Sequence, residues 1–386
     1  MRKVSIIGAA ISKFGEHWEK SLRDLIVEAG TKAVVDAGVE GKDIQAIYGG
    51  TMASGRFIGQ EHIGALIADH LGMNPIASTR LEAACASGSV ALRAGYLAVA
   101  SGMYDIVAVG GVEKMTEVST EEAAIALGGA GDQEWELFMG ATFPALYALL
   151  ARRHMEQFGT TEEQMAACSV KNHDNGSKNE YAQFRNKITV DDVMNSGYIS
   201  EPLKLLDCSP ITDGAAAVIL CAGDKAKKFC DAPVEIAGSG QASDSIALAQ
   251  RKSLTELSAT KEAAKQAYTQ AGITAKDVQA AEVHDCFSIA EILAIEDLGF
   301  FKKGYGGKAA EDGETVLNSQ VSINTSGGLK ACGHPVGATG VKQVVEGVWQ
   351  LQEKAGARQV VGLKNFLTHN VGGSGATAVV HVLRRA

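Results

Sequence analysis

Apolar positions along this chain recur in two rhythms. Short dense runs such as Val4–Gly8 and Val234–Gly238 predict strands, and stretches with apolar residues three and four apart predict amphipathic helices. The same order of elements is written twice. Residues 28–46 read EAGTKAVVDAGVEGKDIQA and residues 262–280 read EAAKQAYTQAGITAKDVQA. Each copy predicts a helix ended by glycine (Gly38, Gly272), a turn, and the approach to a strand. A second echo pairs Asp213–Leu220 with Gly375–Leu383, each a small-residue entry into a buried strand. Ile106–Gly110 and Val360–Leu363 read as central strands covered on both faces. The spacing is too long for a solenoid and fits two pseudo-symmetric halves of a duplicated βαβ-type domain.

One half carries an insertion. Residues 120–207 contain an acidic, alanine-rich stretch, a helix predicted over Phe143–Phe158, and a basic polar segment, KNHDNGSKNEYAQFRNK. The expected organisation is a first half over 1–119 plus 208–231, an inserted loop domain over 120–207, and a second half over 232–386. Inserted loops commonly cover sites formed where halves meet, so this one is a candidate lid and coenzyme-facing loop.

Composition narrows the class. With 386 residues, 44 glycines and only 6 prolines, the chain suits an α/β protein with many tight turns between strands and helices. A net charge of −9 excludes the electrostatic footprint of a nucleic-acid-binding protein. No apolar run reaches the roughly 18 residues of a membrane span, and the N-terminus reads as a strand and not a leader. Seven cysteines without a CxxC pair argue against a disulfide framework or a structural metal, and for a reducing, cytoplasmic setting.

Four places concentrate reactive side chains among small residues. Cys85, in EAACASGSVALRAG, precedes a helix whose N–H groups would favour a thiolate, although a small buried core residue is the plain alternative. His284 and Cys286, in HDCF at the end of the Ala280–Val283 strand, could both reach a pocket, or could belong to a capped turn. His334 lies between glycines in Asn324–Gly340, a constrained turn before a helix. His369-Asn370-Val-Gly372 opens a glycine-rich turn whose N–H groups suit an oxyanion hole, a plain tight turn being the alternative. Together these are the equipment of thioester acyl transfer. Metal binding by His284, Cys286 and His334 lacks spacing support, and none is expected.

Cys85-Ala-Ser-Gly88, Gly110–Met115, Asp213-Gly-Ala-Ala216, the GHPVGATG block ending at Gly340 and the glycine-rich C-terminal turn resemble the thiolases, in family order and over essentially the whole chain. HDCF at 284–287 resembles the branch related to sterol-carrier-protein thiolases. The resemblance implies a five-layer αβαβα fold from two duplicated halves with an inserted loop domain, assembled as a homodimer or homotetramer. It implies Cys85 as the acylated nucleophile, His334 as its activator, and His284 on the thioester oxygen of a second acyl-CoA. It further implies the Cys85 and Gly372 N–H groups as the oxyanion hole, and Ser209 against pantetheine. The second cysteine of many thiolases, in a C-terminal Cys-x-Gly turn, is absent, so the HDCF thiol Cys286 inherits the acid/base role. Cys332 is the weaker candidate, and Cys168, Cys208, Cys221 and Cys230 read as structural. The implied reaction joins two acetyl-CoA into acetoacetyl-CoA, with coenzyme A thioesters as substrates and no cofactor. In archaeal members it feeds the mevalonate pathway. The partners implied are 3-hydroxy-3-methylglutaryl-CoA synthase and a small zinc-containing OB-fold bridging protein. Rival readings are a degradative 3-ketoacyl-CoA thiolase for longer chains, a decarboxylating ketoacyl synthase, and a non-catalytic acyl-CoA-binding or scaffolding protein.

Overall fold

The computed structural model describes residues 2–386. Its first half contributes β1 (Val4–Ile11), β2 (Ala46–Gly50), β3 (Ala77–Leu81) and β4 (Ile106–Glu113). A two-stranded ribbon, β5 (Tyr198–Ser200) and β6 (Leu203–Lys204), belongs to the inserted segment, and β7 (Gly214–Ala222) closes the half. The second half contributes β8 (Val234–Ser243), β9 (Ala280–Glu282), β10 (Ser322–Ile323), β11 (Asn365–Gly372) and β12 (Thr377–Arg385). These strands, the ribbon apart, run in the order β10-β9-β11-β12-β8-β1-β7-β4-β2-β3.

Read outward from the central β1–β8 pair, the two wings are copies. β2 is parallel to β3 and β4, as β9 is to β10 and β11. β7 is antiparallel to β4 and β1, as β12 is to β11 and β8. The repeated sequence forms matching helices, Leu22–Ala37 and Ser258–Ala271, each stopped by its glycine in the left-handed conformation.

Alternation along β7 shows how five layers arise. Ala216, Val218, Leu220 and Ala222 face a central core, while Ala215, Ala217, Ile219 and Cys221 face the outer core under Leu22–Ala37. A third core lies under Ser258–Ala271 on the other wing. The central core is filled by two helices, Ser87–Ala100 (Ala91, Leu92, Tyr96, Val99) and Val336–Leu351 (Val341, Val344, Val345, Val348). They occupy the same place in each repeat, and they approach so closely that a Cβ on Gly88 would stand 2.6 Å from the Gly337 carbonyl oxygen.

Two expected elements differ. Val360–Leu363 is no strand but a turn through Gly362, with Val361 81% exposed; the central strand starts later, at Asn365. His369–Gly372 is the end of β11 and no turn, so the glycine-rich turn shrinks to residues 373–376. That four-residue turn joins β11 to β12, where the first half inserts everything between β4 and β7. The segment holds the expected helix at Phe143–Phe158, with a further helix at Glu162–Ser177.

Candidate active site

The close crossing of the two central helices brings their N-terminal ends together. Cys85 precedes one helix, after Ala84 in a left-handed backbone conformation (φ 52°), so the chain turns sharply out of β3 and presents the sulfur at the helix entrance. His334 precedes the other, fixed by Gly333 at φ 110°. A Cβ there would stand 2.7 Å from Thr212, whose hydroxyl accepts the His334 N–H at 3.0 Å. Glycine is therefore required twice over at 333, for the backbone angle and for the contact.

His284 and Cys286 leave β9 through a backbone pinned at Asp285. Its carboxylate accepts from Leu329 N at 2.7 Å and Asn172 Nδ2 at 2.7 Å, and faces the buried Lys330 ammonium at 3.5 Å. Asp285 thus points away from the site, and both of its neighbours reach into it. The Cys286 carbonyl accepts from Ser209 N at 2.9 Å. Cys85, Cys286, Ser209, His334 and Gly373 line one cavity of about 220 Å³, walled by Phe143, Tyr147 and Phe287. The ligating atoms of Cys85, His284 and His334 lie within 4.8 Å of one another.

Hydrogen bonds assign the two imidazoles different faces. The Thr339 hydroxyl donates to the Pro335 carbonyl at 3.0 Å, so its oxygen accepts from His334 Nδ1–H at 2.7 Å. The Nε2 lone pair of His334 is then left open. As oriented, the Asn370 amide donates to His284 Nδ1 at 3.0 Å, which puts the His284 proton on Nε2. Neither Nε2 has a hydrogen-bond partner, although both residues are buried. His369 serves as a support: Nε2 bonds Thr260 at 2.9 Å and Nδ1 faces the His284 N–H at 3.5 Å.

Burial sets the resting charges. Desolvation takes His334 down to about 3, with the Lys342 ammonium acting in the same direction. Desolvation also takes His284 well below its ordinary value, with help from His334 and His369. Cys85 is half-buried by area, but the walls around its sulfur exclude water and push the thiol up to about 12, against the opposing N–H of Gly373. Burial and the neighbouring Cys85 push Cys286 well above its ordinary value, while the Tyr147 hydroxyl counters. At neutral pH the site therefore rests as two thiols and two neutral imidazoles, one donor and one acceptor.

Cys85, Ser209, Cys286 and His334 line this cavity, His284 converges on Cys85 and His334, and Gly372 precedes the lining residue Gly373. The N–H facing Cys85 sulfur is that of Gly373; Gly372 packs against Ala83, and a Cβ on it would collide with that carbonyl. Cys208, read as structural, lines the cavity. Cys332 lies within the buried Gly328–Cys332 helix beside Asn179 and does not line it. Sequence reasoning missed Thr339 and Tyr147. Thr339, one turn into the helix after His334, carried a positional signal. Tyr147, whose hydroxyl donates to the Gly373 carbonyl at 3.1 Å across the fold, carried none. Glu113 was also missed. Burial raises it to about 7, while N–H groups of Met52, Ala53 and Gly337 and the Thr51 hydroxyl hold it down, tying β4 to the His334 helix.

The same architecture recurs among known proteins. The chain matches the thiolase N-terminal domain over residues 4–224 and the thiolase C-terminal domain-like family over 240–385. It is 57% identical over 385 residues to the acetyl-CoA acetyltransferase of Methanothermobacter thermautotrophicus, covering 100% of both chains. It is 33% identical to sterol carrier protein 2 of Gallus gallus, over 98% of this chain and 71% of that one. The solved Ltp2-ChsH2(DUF35) aldolase superposes with a TM-score of 0.87 at 24% identity, over 99% of this chain and 98% of that one. With both halves matched from end to end, and with a cysteine and a histidine facing each other across the paired helix ends, the chain belongs to the thiolase family.

Proposed function

We propose that this chain is an acetyl-CoA C-acetyltransferase, condensing two acetyl-CoA into acetoacetyl-CoA and CoA by a ping-pong acyl-cysteine mechanism. The observation that carries the reading is the convergence of Cys85, His284 and His334 within 4.8 Å, beside the cavity that Cys85, His334 and Cys286 line. The full-length relative named acetyl-CoA acetyltransferase supports the substrate.

In the first half-reaction Cys85 Sγ attacks the thioester carbonyl as its proton passes to His334 Nε2. The N–H groups of Cys85 and Gly372 are assigned to the developing oxyanion, with the Gly373 N–H beside the sulfur. The C–S bond to coenzyme A breaks, and the leaving thiolate takes the proton of Cys286. Burial raises the Cys286 thiol, which makes it a weak acid but makes its thiolate, once formed, a strong base for the second half-reaction. Cys286 thiolate then removes a proton from the methyl of the second acetyl-CoA, whose oxygen is held by His284 Nε2–H. The enolate attacks acetyl-Cys85, and the departing Cys85 thiolate recovers its proton from His334. All protons return to their starting atoms, and no cofactor is needed beyond the coenzyme A thioesters.

Condensation of thioesters is uphill, so a consuming enzyme must drain the product; 3-hydroxy-3-methylglutaryl-CoA synthase, bridged by a zinc-containing OB-fold protein, is the proposed partner in a mevalonate-pathway assembly. Homo-oligomerisation is supported by β3, an edge strand bonded only to β2. A cytoplasmic setting is supported by seven free cysteines, and among the described residues no helix is long and apolar enough to cross a membrane.

The test is thiolysis of acetoacetyl-CoA by CoA, followed by absorbance, with longer 3-ketoacyl-CoAs alongside. Acetoacetyl-CoA should be cleaved with the highest kcat/KM. Preference for longer chains would favour the degradative thiolase reading, and no turnover of any would overturn catalysis. Cys85→Ala should lose acetyl labelling, and Cys286→Ala should keep labelling while losing condensation.

A further inference from the structure

A polar cleft of about 330 Å³ opens at the far end of the Val336–Leu351 helix, about 24 Å from His334 at 1.5 Å per residue. Four cations line it, Lys178, Arg185, Lys354 and Arg358, against one carboxylate, Glu180, in a chain whose net charge is −9. Lys178 and Arg185 come from the basic segment of the insertion, and neither lines the acyl-transfer cavity.

Arg358 forms the floor. It is buried, and its Nε donates to both oxygens of the buried Glu346 at 3.1 and 3.0 Å. Its two terminal nitrogens donate to no protein acceptor among the described residues, so the end of the fork is open toward the cleft. At the rim, Lys178 is tied to Asp174 at 2.7 Å, Lys354 reaches Asp36 only at 3.8 Å, and Arg185 makes no ion pair among the described residues. The wall is aromatic: Trp349 packs on Tyr181 with ring centroids 5.2 Å apart, and the Arg358 guanidinium lies 5.7 Å from the Trp349 ring. A buried guanidinium with free N–H groups suits phosphate oxygens, and an indole edge beside it suits a base or ribose.

We propose that this cleft binds organic phosphates of the nucleotide class at a site separate from the acyl-transfer cavity. Two sources share that chemistry, free nucleotides and the 3′-phospho-ADP end of coenzyme A. Glu180 on the rim disfavours a multiply charged bare anion and leaves room for a ligand whose charge is held at one end.

The probe is ADP, with 3′,5′-ADP in parallel, titrated against Trp18→Phe/Trp135→Phe protein. Both replaced tryptophans are more than two-thirds exposed, and Trp349 remains as the reporter. A saturable fluorescence change is expected, weakened at least tenfold by Arg185→Ala/Lys354→Ala and by added KCl, with kcat for thiolysis and melting temperature unchanged. These rim variants avoid Arg358, whose removal would strand Glu346. If 3′,5′-ADP competes with acetyl-CoA and the double variant raises KM for CoA, the source is the coenzyme. If ADP binds without competing, the source is a free nucleotide. Absence of saturable binding, or binding untouched by the rim substitutions, overturns the proposal while leaving the thiolase assay intact.

Discussion

The imidazoles of His284 and His334 meet edge to face, their ring centroids 5.1 Å apart at 81°, and offer opposite chemistry to the space between them. His284 presents an N–H and His334 a lone pair, because Asn370 donates to one ring and Thr339 accepts from the other. Desolvation keeps both neutral, and two imidazolium ions at this separation would repel in so dry a pocket.

Thr339→Val keeps the shape of the side chain and removes the acceptor for His334 Nδ1–H. The ring is then free to place its proton on Nε2, where it cannot take one from Cys85. We expect kcat to fall roughly 10- to 100-fold with KM little changed, at a stability cost of about 1 kcal/mol. Thr339→Ser should restore most of the rate. An unchanged kcat in Thr339→Val would mean that the tautomer is set by something else.

A thiol raised to about 12 beside a neutral histidine is a resting S–H and not a thiolate–imidazolium pair. Alkylation of Cys85 by iodoacetamide, followed by mass spectrometry at each pH, should climb steadily and reach no plateau below about pH 9. A plateau near neutrality would show a preformed thiolate and remove the need for proton transfer during attack.

The duplication was legible because each repeat must rebuild the same helix stop and strand approach from local sequence, as Gly38 and Gly272 do. Cys85 and His334 were legible for a related reason: each needs small residues around it, and small residues leave a visible mark. Val360–Leu363 misled because its apolar composition resembles a strand, whereas Gly362 turns the chain and leaves Val361 in solvent. Tyr147 lay beyond reach, since its partner Gly373 is 226 positions away and only the closed fold joins them.

Gly88→Ala tests the helix crossing on which the site depends. The added methyl meets the Gly337 carbonyl oxygen at 2.6 Å and Val341 N at 3.1 Å, both backbone, so one helix must move. A loss of about 1–3 kcal/mol is expected in urea unfolding, together with a drop in kcat, because the separated helix ends carry Cys85 and His334 apart. Gly15→Ala, where nothing lies within 4 Å, should leave both measurements unchanged.

Four buried neutral histidines make the fold acid-sensitive above the carboxylate range. Desolvation takes His334, His369 and His381 to about 3 and His284 well below its ordinary value. Each folded pKa is depressed, so the unfolded chain binds more protons once the pH drops below about 6.5. Their contribution is therefore complete above that value and is lost as the pH falls toward the folded values, at up to about 1.4 kcal/mol per pH unit for each ring. Glu113, raised to about 7, works in the opposite direction, as do Asp207, Asp285 and Asp297, whose carboxyls burial also raises. Melting temperature should fall steeply between pH 6.5 and 5, before carboxylates such as Asp213, held low by Lys114 and Thr116 against the effect of burial, begin to protonate. His381 is away from the catalytic cavity, and the Ser89 backbone only weakly opposes the desolvation of its ring. His381→Leu should flatten the profile by about one ring's worth of slope, with thiolysis preserved, and a melting temperature that stays level from pH 7.5 to 5 in the parent chain would refute the assignment.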